Sequence, residues 1–374
     1  MVPPNPGEAS TVTTRFQSIF HIRCDAAVVE TRARAIAVEQ SVECPIEAID
    51  DPRILTDIVG QVTEITDLGG GVFEARIALA VETVGGDAGQ FLNMALGNTS
   101  LHDDITLHDM VLTPELETAL GGPNHGLEGL RRRVGADDRA LTCSAIKPQG
   151  LAPARLAELV ARFAAGGVDF VKDDHSLVDQ AYAPFAARVP ACAAAVRGSA
   201  TRYVPNLSGS LDTMREQLRI ARDVGLDTAM VAPMLIGPAN LQALVRDNAD
   251  FAFFGHPTMG GGRIAPALLF GSLYRLWGAD AVIFVNYGGR FGYAPATSRA
   301  IADRARAPNP RLKPAVPTPA GGMLLSRVPE LLDFYGPDTM LLIGGDLLLA
   351  HERLAEETAA FTQAVARHRF PVLV

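Results

Sequence analysis

Cysteine is scarce in this chain: Cys24, Cys44, Cys143 and Cys192 are scattered through 374 residues with no C-x-x-C pair. That spacing argues against a structural zinc site and fits a reducing cytosol. Aromatic residues make up only 6%, no lysine-rich cluster exists and the net charge is −9, so nucleic acid is not an expected partner. The one dense basic patch, Arg131-Arg132-Arg133, reads as a helix end. No apolar run reaches the roughly eighteen residues of a membrane span. The opening MVPPNPGEAS lacks the charged and apolar regions of a secretion signal. These absences lead to the expectation of a soluble cytoplasmic protein with no membrane contact.

What is present points to a globular α/β enzyme: 48% hydrophobic residues, 20% charged, and plentiful glycine and proline. The length fits one large barrel plus a smaller domain. From about Thr11 to Pro114, strand-like segments (Thr13 to Arg23, Val72 to Val81) alternate with helical ones (Ala26 to Gln40, Gly89 to Leu96), as in a small α+β domain. From Leu141 the pattern becomes short apolar runs separated by amphipathic stretches such as Pro153 to Ala165, Leu211 to Val224 and Val328 to Tyr335. The runs are Leu141 to Ile146, Val168 to Val171, Arg202 to Asn206, Thr228 to Ala232, Phe251 to Gly255, Ala281 to Val285, Ala315 to Pro319 and Thr339 to Ile343. Eight strands alternating with helices is the count of a (β/α)8 TIM barrel, and continuous apolar runs suit strands buried on both faces. We expect a smaller N-terminal α+β domain over 1–125 and the barrel over 126–374, with Leu116 to Ala140 as the connector.

Chemistry in such barrels sits where the strands end. The residues just past the runs include Lys147, Lys172-Asp173-Asp174-His175, Asn206, His256, Asn286, Gly321-Gly322 and Gly344-Gly345. Two lysines, two aspartates and two histidines thus converge on one face, which favours a site over a set of solvated strand exits whose charges merely neutralise each other. A lysine beside carboxylates can react with carbon dioxide, and the resulting carbamate is an oxygen ligand for a hard cation such as magnesium. Lys172, Asp174 and His175 are the candidate metal group. Lys147 is a candidate proton carrier, with a snorkelling surface amine as the competing reading. His256 is a candidate acid, base or hydrogen-bond donor, and a structural hydrogen bond competes. Gly321-Gly322 and Gly344-Gly345 follow the seventh and eighth strands, where small residues let backbone N–H groups approach a phosphate. Glycines also serve ordinary tight turns.

Taken together, AIKPQGL (Ala145 to Leu151), GGVDFVKDDH (Gly166 to His175), HPTM (His256 to Met259), PAGGM (Pro319 to Met323) and LLIGGD (Leu341 to Asp346) resemble the RuBisCO large subunit. They are more similar to its RuBisCO-like relatives, which do not fix carbon. The resemblance implies a carbamylated Lys172, Asp174 as a magnesium ligand, Lys147 as an acid/base residue, His256 as a substrate contact and the glycine pairs as a phosphate cradle. It further implies a homodimer or larger assembly with composite sites. Asn98 in Leu96-Gly97-Asn98, and Glu39 in Val38-Glu39-Gln40-Ser41, resemble the family segments that reach into the partner subunit's site.

Several positions depart from the family pattern. His175 stands where an acidic ligand is expected, which opens the site to manganese. Gln149 replaces a second lysine, Pro257 an arginine and Gly260 a histidine. The loop Asn286-Tyr287-Gly288-Gly289-Arg290-Phe291 lacks the lysine that orients carbon dioxide, Arg290 being its partial substitute. The expectation is therefore enediolate chemistry on a substrate with one phosphate. Decarboxylation of 3-oxo-isoapionate 4-phosphate in apiose-type catabolism is favoured slightly. An isomerase of 5-methylthioribulose 1-phosphate acting by 1,3-proton transfer is the alternative, and Met234, Phe291 or Met323 would line its methylthio slot. A diketo-methylthiopentyl phosphate enolase, a Schiff-base aldolase using Lys147 or Lys172, and a non-catalytic sugar-phosphate binder stay open as further readings.

Overall fold

Runs too short and too apolar to be surface elements fold into the staves of a barrel. The structure is a computed structural model that describes residues 14–289 and 291–370. The chain divides into two compact units. One holds the chain up to Leu120 together with Gly262–Ala265, and the other holds Gly121–Gly261 and the chain from Pro266 onward.

In the first unit four antiparallel strands, β1 (Arg15–Arg23), β2 (Gln61–Gly69), β3 (Val72–Ala80) and β4 (Ile105–Val111), lie in the order β2-β3-β1-β4. The period-two alternation of β1 buries Phe16, Phe20 and Ile22, while His21 stays half-exposed opposite Glu74. Helices Val29–Glu39 and Ala88–Ala95 complete this unit's core, contributing Ala33, Ile36 and Phe91. The segment 262–265 joins the unit through a bridge from Leu107 to Ile264. β2 and β4 have no counterpart in the strand-like segments expected from the sequence, because β2 is largely exposed and carries little apolar signal.

The second unit is a (β/α)8 TIM barrel of parallel strands: β5 (Leu141–Ala145), β6 (Phe170–Lys172), β7 (Arg202–Val204), β8 (Thr228–Val231), β9 (Ala252–Gly255), β10 (Ala281–Val285), β11 (Val316–Ala320) and β12 (Met340–Leu342). Ladders join β12-β5-β6-β7 and β8-β9-β10-β11. A bridge from Asn206 to Met230 links β7 to β8, and the Thr339 hydroxyl donates to the Pro317 carbonyl between β12 and β11. Every strand contributes to a single core cluster, which includes Cys143, Phe170, Val204, Met230, Phe254, Ile283, Val316 and Met340. Each such side chain contributes on the order of 1.5–3 kcal/mol by leaving water.

Helix Gly126–Val134 adds Leu127, Leu130 and Val134 to that cluster, so part of the expected connector packs into the core. Its last turn carries the three arginines and it stops at Gly135 in the left-handed region, as the basic helix end required. At the lower end of β6 the buried Asp169 takes both guanidinium nitrogens of Arg139 at 2.7 Å and the backbone N–H of Thr142 at 2.8 Å. This fixes β6 against β5 and so sets where Lys172 emerges three residues later.

Candidate active site

Lys172 ends β6, and its side chain is almost wholly buried. Its amine donates to the Asp173 carbonyl at 2.9 Å. Burial holds its pKa below the usual lysine value, with Lys147 adding to the effect and Asp174 opposing it. The free amine is the form that reacts with carbon dioxide, so the desolvated setting suits carbamate formation. Beneath it the Cys143 thiol is pushed up to about 12 by burial and stays neutral.

Lys147, two residues past β5, is the more exposed of the two lysines, and its amine donates to Asp174 Oδ2. Asp174 Oδ1 accepts the Ser176 N–H at 3.0 Å. Burial raises the Asp174 carboxyl, but the hydrogen bonds from Lys147 and Ser176 overcome it and bring the pKa down to about 2. The stability from this pair is therefore complete above the ordinary value of 3.8 and is lost as pH falls through about 2. In Lys147→Met, burial is left with less opposition, so the Asp174 midpoint in metal-free protein is expected to rise from about 2 in a 13C NMR titration.

His175 Nδ1 lies 3.4 Å from Asp174 Oδ1, and its ring stacks on that of His256 with centroids 4.2 Å apart and planes 8° from parallel. Burial holds His256 well below the usual histidine value, and Lys172 and His175 add to this, so the ring is neutral. Its Nδ1 accepts the Thr258 N–H at 3.3 Å and lies 2.7 Å from the Thr258 hydroxyl. That assigns the ring proton to Nε2, leaving a neutral donor for a substrate oxygen.

Five residues singled out in the sequence (Lys147, Lys172, Asp174, His175 and His256) thus meet in one cluster. Asp173 does not join them. It turns away from the mouth into a fully buried pocket, where Tyr203 donates to it at 2.5 Å and Arg188 lies 3.2 Å away. Burial pushes its carboxyl up, against the pull of Arg188 and the Tyr203 hydrogen bond. Of the two adjacent carboxylates, Asp173 is structural, and only Asp174 pairs with Lys147. Sequence reasoning missed Arg188 and Tyr203, which sit on an ordinary-looking helix and strand.

The glycine pairs follow β11 and β12 on the same rim, and β12 adjoins β5, which leads to Lys147. Gly321 has φ +90, and the Phe291 ring packs where its side chain would be. A methyl at Gly289 would stand 2.2 Å from the Gly321 carbonyl oxygen, so only glycine permits this approach. Gly345 opens a short turn of helix, and Asp346 there accepts the Leu325 N–H at 2.7 Å. Arg290 lies outside the described residues. Asn98 belongs to the first unit, where its amide donates to Glu39 at 2.9 Å and Glu43 at 2.8 Å. Among the described residues no three His, Cys, Asp or Glu side chains gather to hold a metal ion. A cation here would rest on Asp174, His175 and an oxygen that Lys172 must first acquire, and the buried, pKa-lowered amine fits that requirement.

Among the described residues no helix is long and apolar enough to cross a membrane, and all four cysteines are free. Residues 126–262 match the family model described as ribulose bisphosphate carboxylase large chain, catalytic domain. A protein of Rhodospirillum rubrum named 5-methylthioribulose-1-phosphate isomerase is 56% identical over 95% of this chain and 97% of its own length. A 2,3-diketo-5-methylthiopentyl-1-phosphate enolase of Geobacillus thermodenitrificans is 31% identical over 73% of this chain and 70% of its own. The crystal structure of a Rubisco-like protein from Rhodopseudomonas palustris superposes with a TM-score of 0.89 at 47% identity, covering 96% of this chain and 99% of that one.

Proposed function

Because this chain belongs to the RuBisCO large-chain family, among its RuBisCO-like members, we propose that it isomerises a monophosphorylated methylthio ketose, 5-methylthioribulose 1-phosphate, by 1,3-proton transfer. The observation that carries the reading is the 56% identity, spread over nearly the whole chain, to a protein bearing that name. The enolase matches less closely and over less of the chain. The decarboxylase favoured slightly by the residues alone gives way to the isomerase, which those residues accommodate equally well.

A proton on the carbon beside a ketone is acidic only if the enediolate formed by its removal is stabilised. Lys172 as a carbamate, Asp174 and His175 would hold a magnesium or manganese ion, which supplies that charge stabilisation when bound. Lys147, as the free amine left when a cation replaces its ammonium at the Asp174 carboxylate, would take the proton from one carbon and return it to another. His256 Nε2–H donates to an oxygen of the enediolate. Gly321, Gly322, Gly344 and Gly345 would offer backbone N–H groups to the phosphate, with Arg290 as its cation. A homodimer or larger assembly would bring Asn98 of one protomer to the site of its partner.

The test is to incubate the protein with 5-methylthioribulose 1-phosphate, magnesium and bicarbonate and follow it by 31P and 1H NMR. An isomeric phosphate ester is expected, with the methylthio group retained and no carbon dioxide released. Unchanged substrate, together with carbon dioxide release from 3-oxo-isoapionate 4-phosphate, would overturn the isomerase in favour of the decarboxylase.

A further inference from the structure

Next to the candidate metal group in the chain lies a charged cluster closed off from solvent. Arg188, on helix Phe185–Ala195, and Asp173 are both fully buried, as is Tyr203 apart from a trace. The Arg188 guanidinium donates to the Ala183 carbonyl at 2.8 Å and to the Val178 carbonyl at 2.8 Å, and it lies 3.2 Å from Asp173 Oδ2. Asp173 also accepts the Tyr203 hydroxyl at 2.5 Å and the Asn206 N–H at 3.0 Å. The Asn206 amide in turn donates to the carbonyls of His175 and Leu177, at 2.9 and 3.2 Å. The segment from 173 to 183, which carries Asp174 and His175, is thus gripped at Asp173, His175, Leu177, Val178 and Ala183.

On the reading above, in which Lys172 and Asp174 hold a divalent cation, we propose that Arg188, through Asp173, is a positioning residue that aims those two ligands into the barrel mouth. Side chains alternate along an extended chain. Drawing Asp173 outward to the helix layer sends Lys172 and Asp174 together to the opposite side, where Phe170 already lies in the barrel core. Apolar residues of similar volume would hold helix to strand at least as firmly, since a buried ion pair is a weak source of stability. They could not bind two carbonyls and a carboxylate at fixed angles, as the planar guanidinium fork does. Such outer groups govern the ligands they orient, and their loss typically weakens metal affinity by about 10- to 100-fold.

Three proteins test this: wild type, Arg188→Lys, and Arg188→Met combined with Asp173→Asn. Lysine keeps the charge opposite Asp173 but lacks the fork, and the double variant removes both charges, so neither strands a lone buried carboxylate. Manganese affinity is measured by EPR in bicarbonate buffer, beside a thermal melt of each metal-free protein. The expected result is a manganese Kd raised about 10- to 100-fold in both variants at temperatures where both are fully folded. A merely structural role would lower the melting temperature and leave the Kd unchanged, and that result overturns the proposal. Wild type that binds no manganese would overturn the metal reading itself, and the positioning role with it. A normal wild-type Kd with unaltered variants overturns the positioning role alone.

Discussion

Lys172→Ala is expected to lose divalent-metal binding and, with it, turnover. The fall in kcat/KM should be at least about 10³-fold, or roughly 4 kcal/mol of transition-state stabilisation. The size follows from the donor set. Asp174 and His175 alone supply one carboxylate and one imidazole, and among the described residues no third His, Cys, Asp or Glu gathers with them. Without an oxygen on residue 172 a hard cation has too few protein ligands. Two measurements check this: manganese titration by EPR, and 13C NMR of protein equilibrated with labelled bicarbonate. The latter should show a carbamate signal in wild type that the variant lacks. Unchanged manganese affinity in the variant would sink the assignment. Lys172→Met serves as the fold control, because it fills the same buried volume without an amine.

The barrel was legible because its strands are buried on both faces and read as continuous apolar runs, so β5 to β12 fall within a residue or two of the expected segments. β2 was not, since an exposed strand carries no such run. The lysines, Asp174 and the histidines were legible as strand-end residues. The opposite fates of Asp173 and Asp174 were not, because adjacent carboxylates look alike until a distant Arg188 and Tyr203 choose between them. One signal in the sequence would have sharpened the reading. The chain contains only three lysines, Lys147, Lys172 and Lys313, among 33 basic residues. A chain that carries its surface positive charge on arginine and places two of its three lysines at strand ends has the pattern expected where the amine does what a guanidinium cannot. An amine can shed its proton or accept carbon dioxide, whereas the guanidinium stays charged.

That same contrast defines the second large effect. Lys147→Ala is expected to lower kcat by about 10²- to 10⁴-fold, the usual contribution of a positioned acid or base. Metal affinity should be kept or tightened, because the Lys147 ammonium competes with any cation for the Asp174 carboxylate. The separation between the two lysines is then complete: one variant loses the metal, the other the proton. Lys147→Arg decides whether Lys147 acts through its charge or through its proton. Arginine restores a cation opposite Asp174 but does not deprotonate at neutral pH. If the residue carries the proton, the arginine variant stays as slow as alanine, and its exchange of the substrate's C–H with D2O, read by 1H NMR, is equally slow. If arginine restores the exchange rate, the side chain acts by electrostatics alone, and the proton must travel through another group, for which the neutral His256, stacked on His175 in the same cluster, is the candidate.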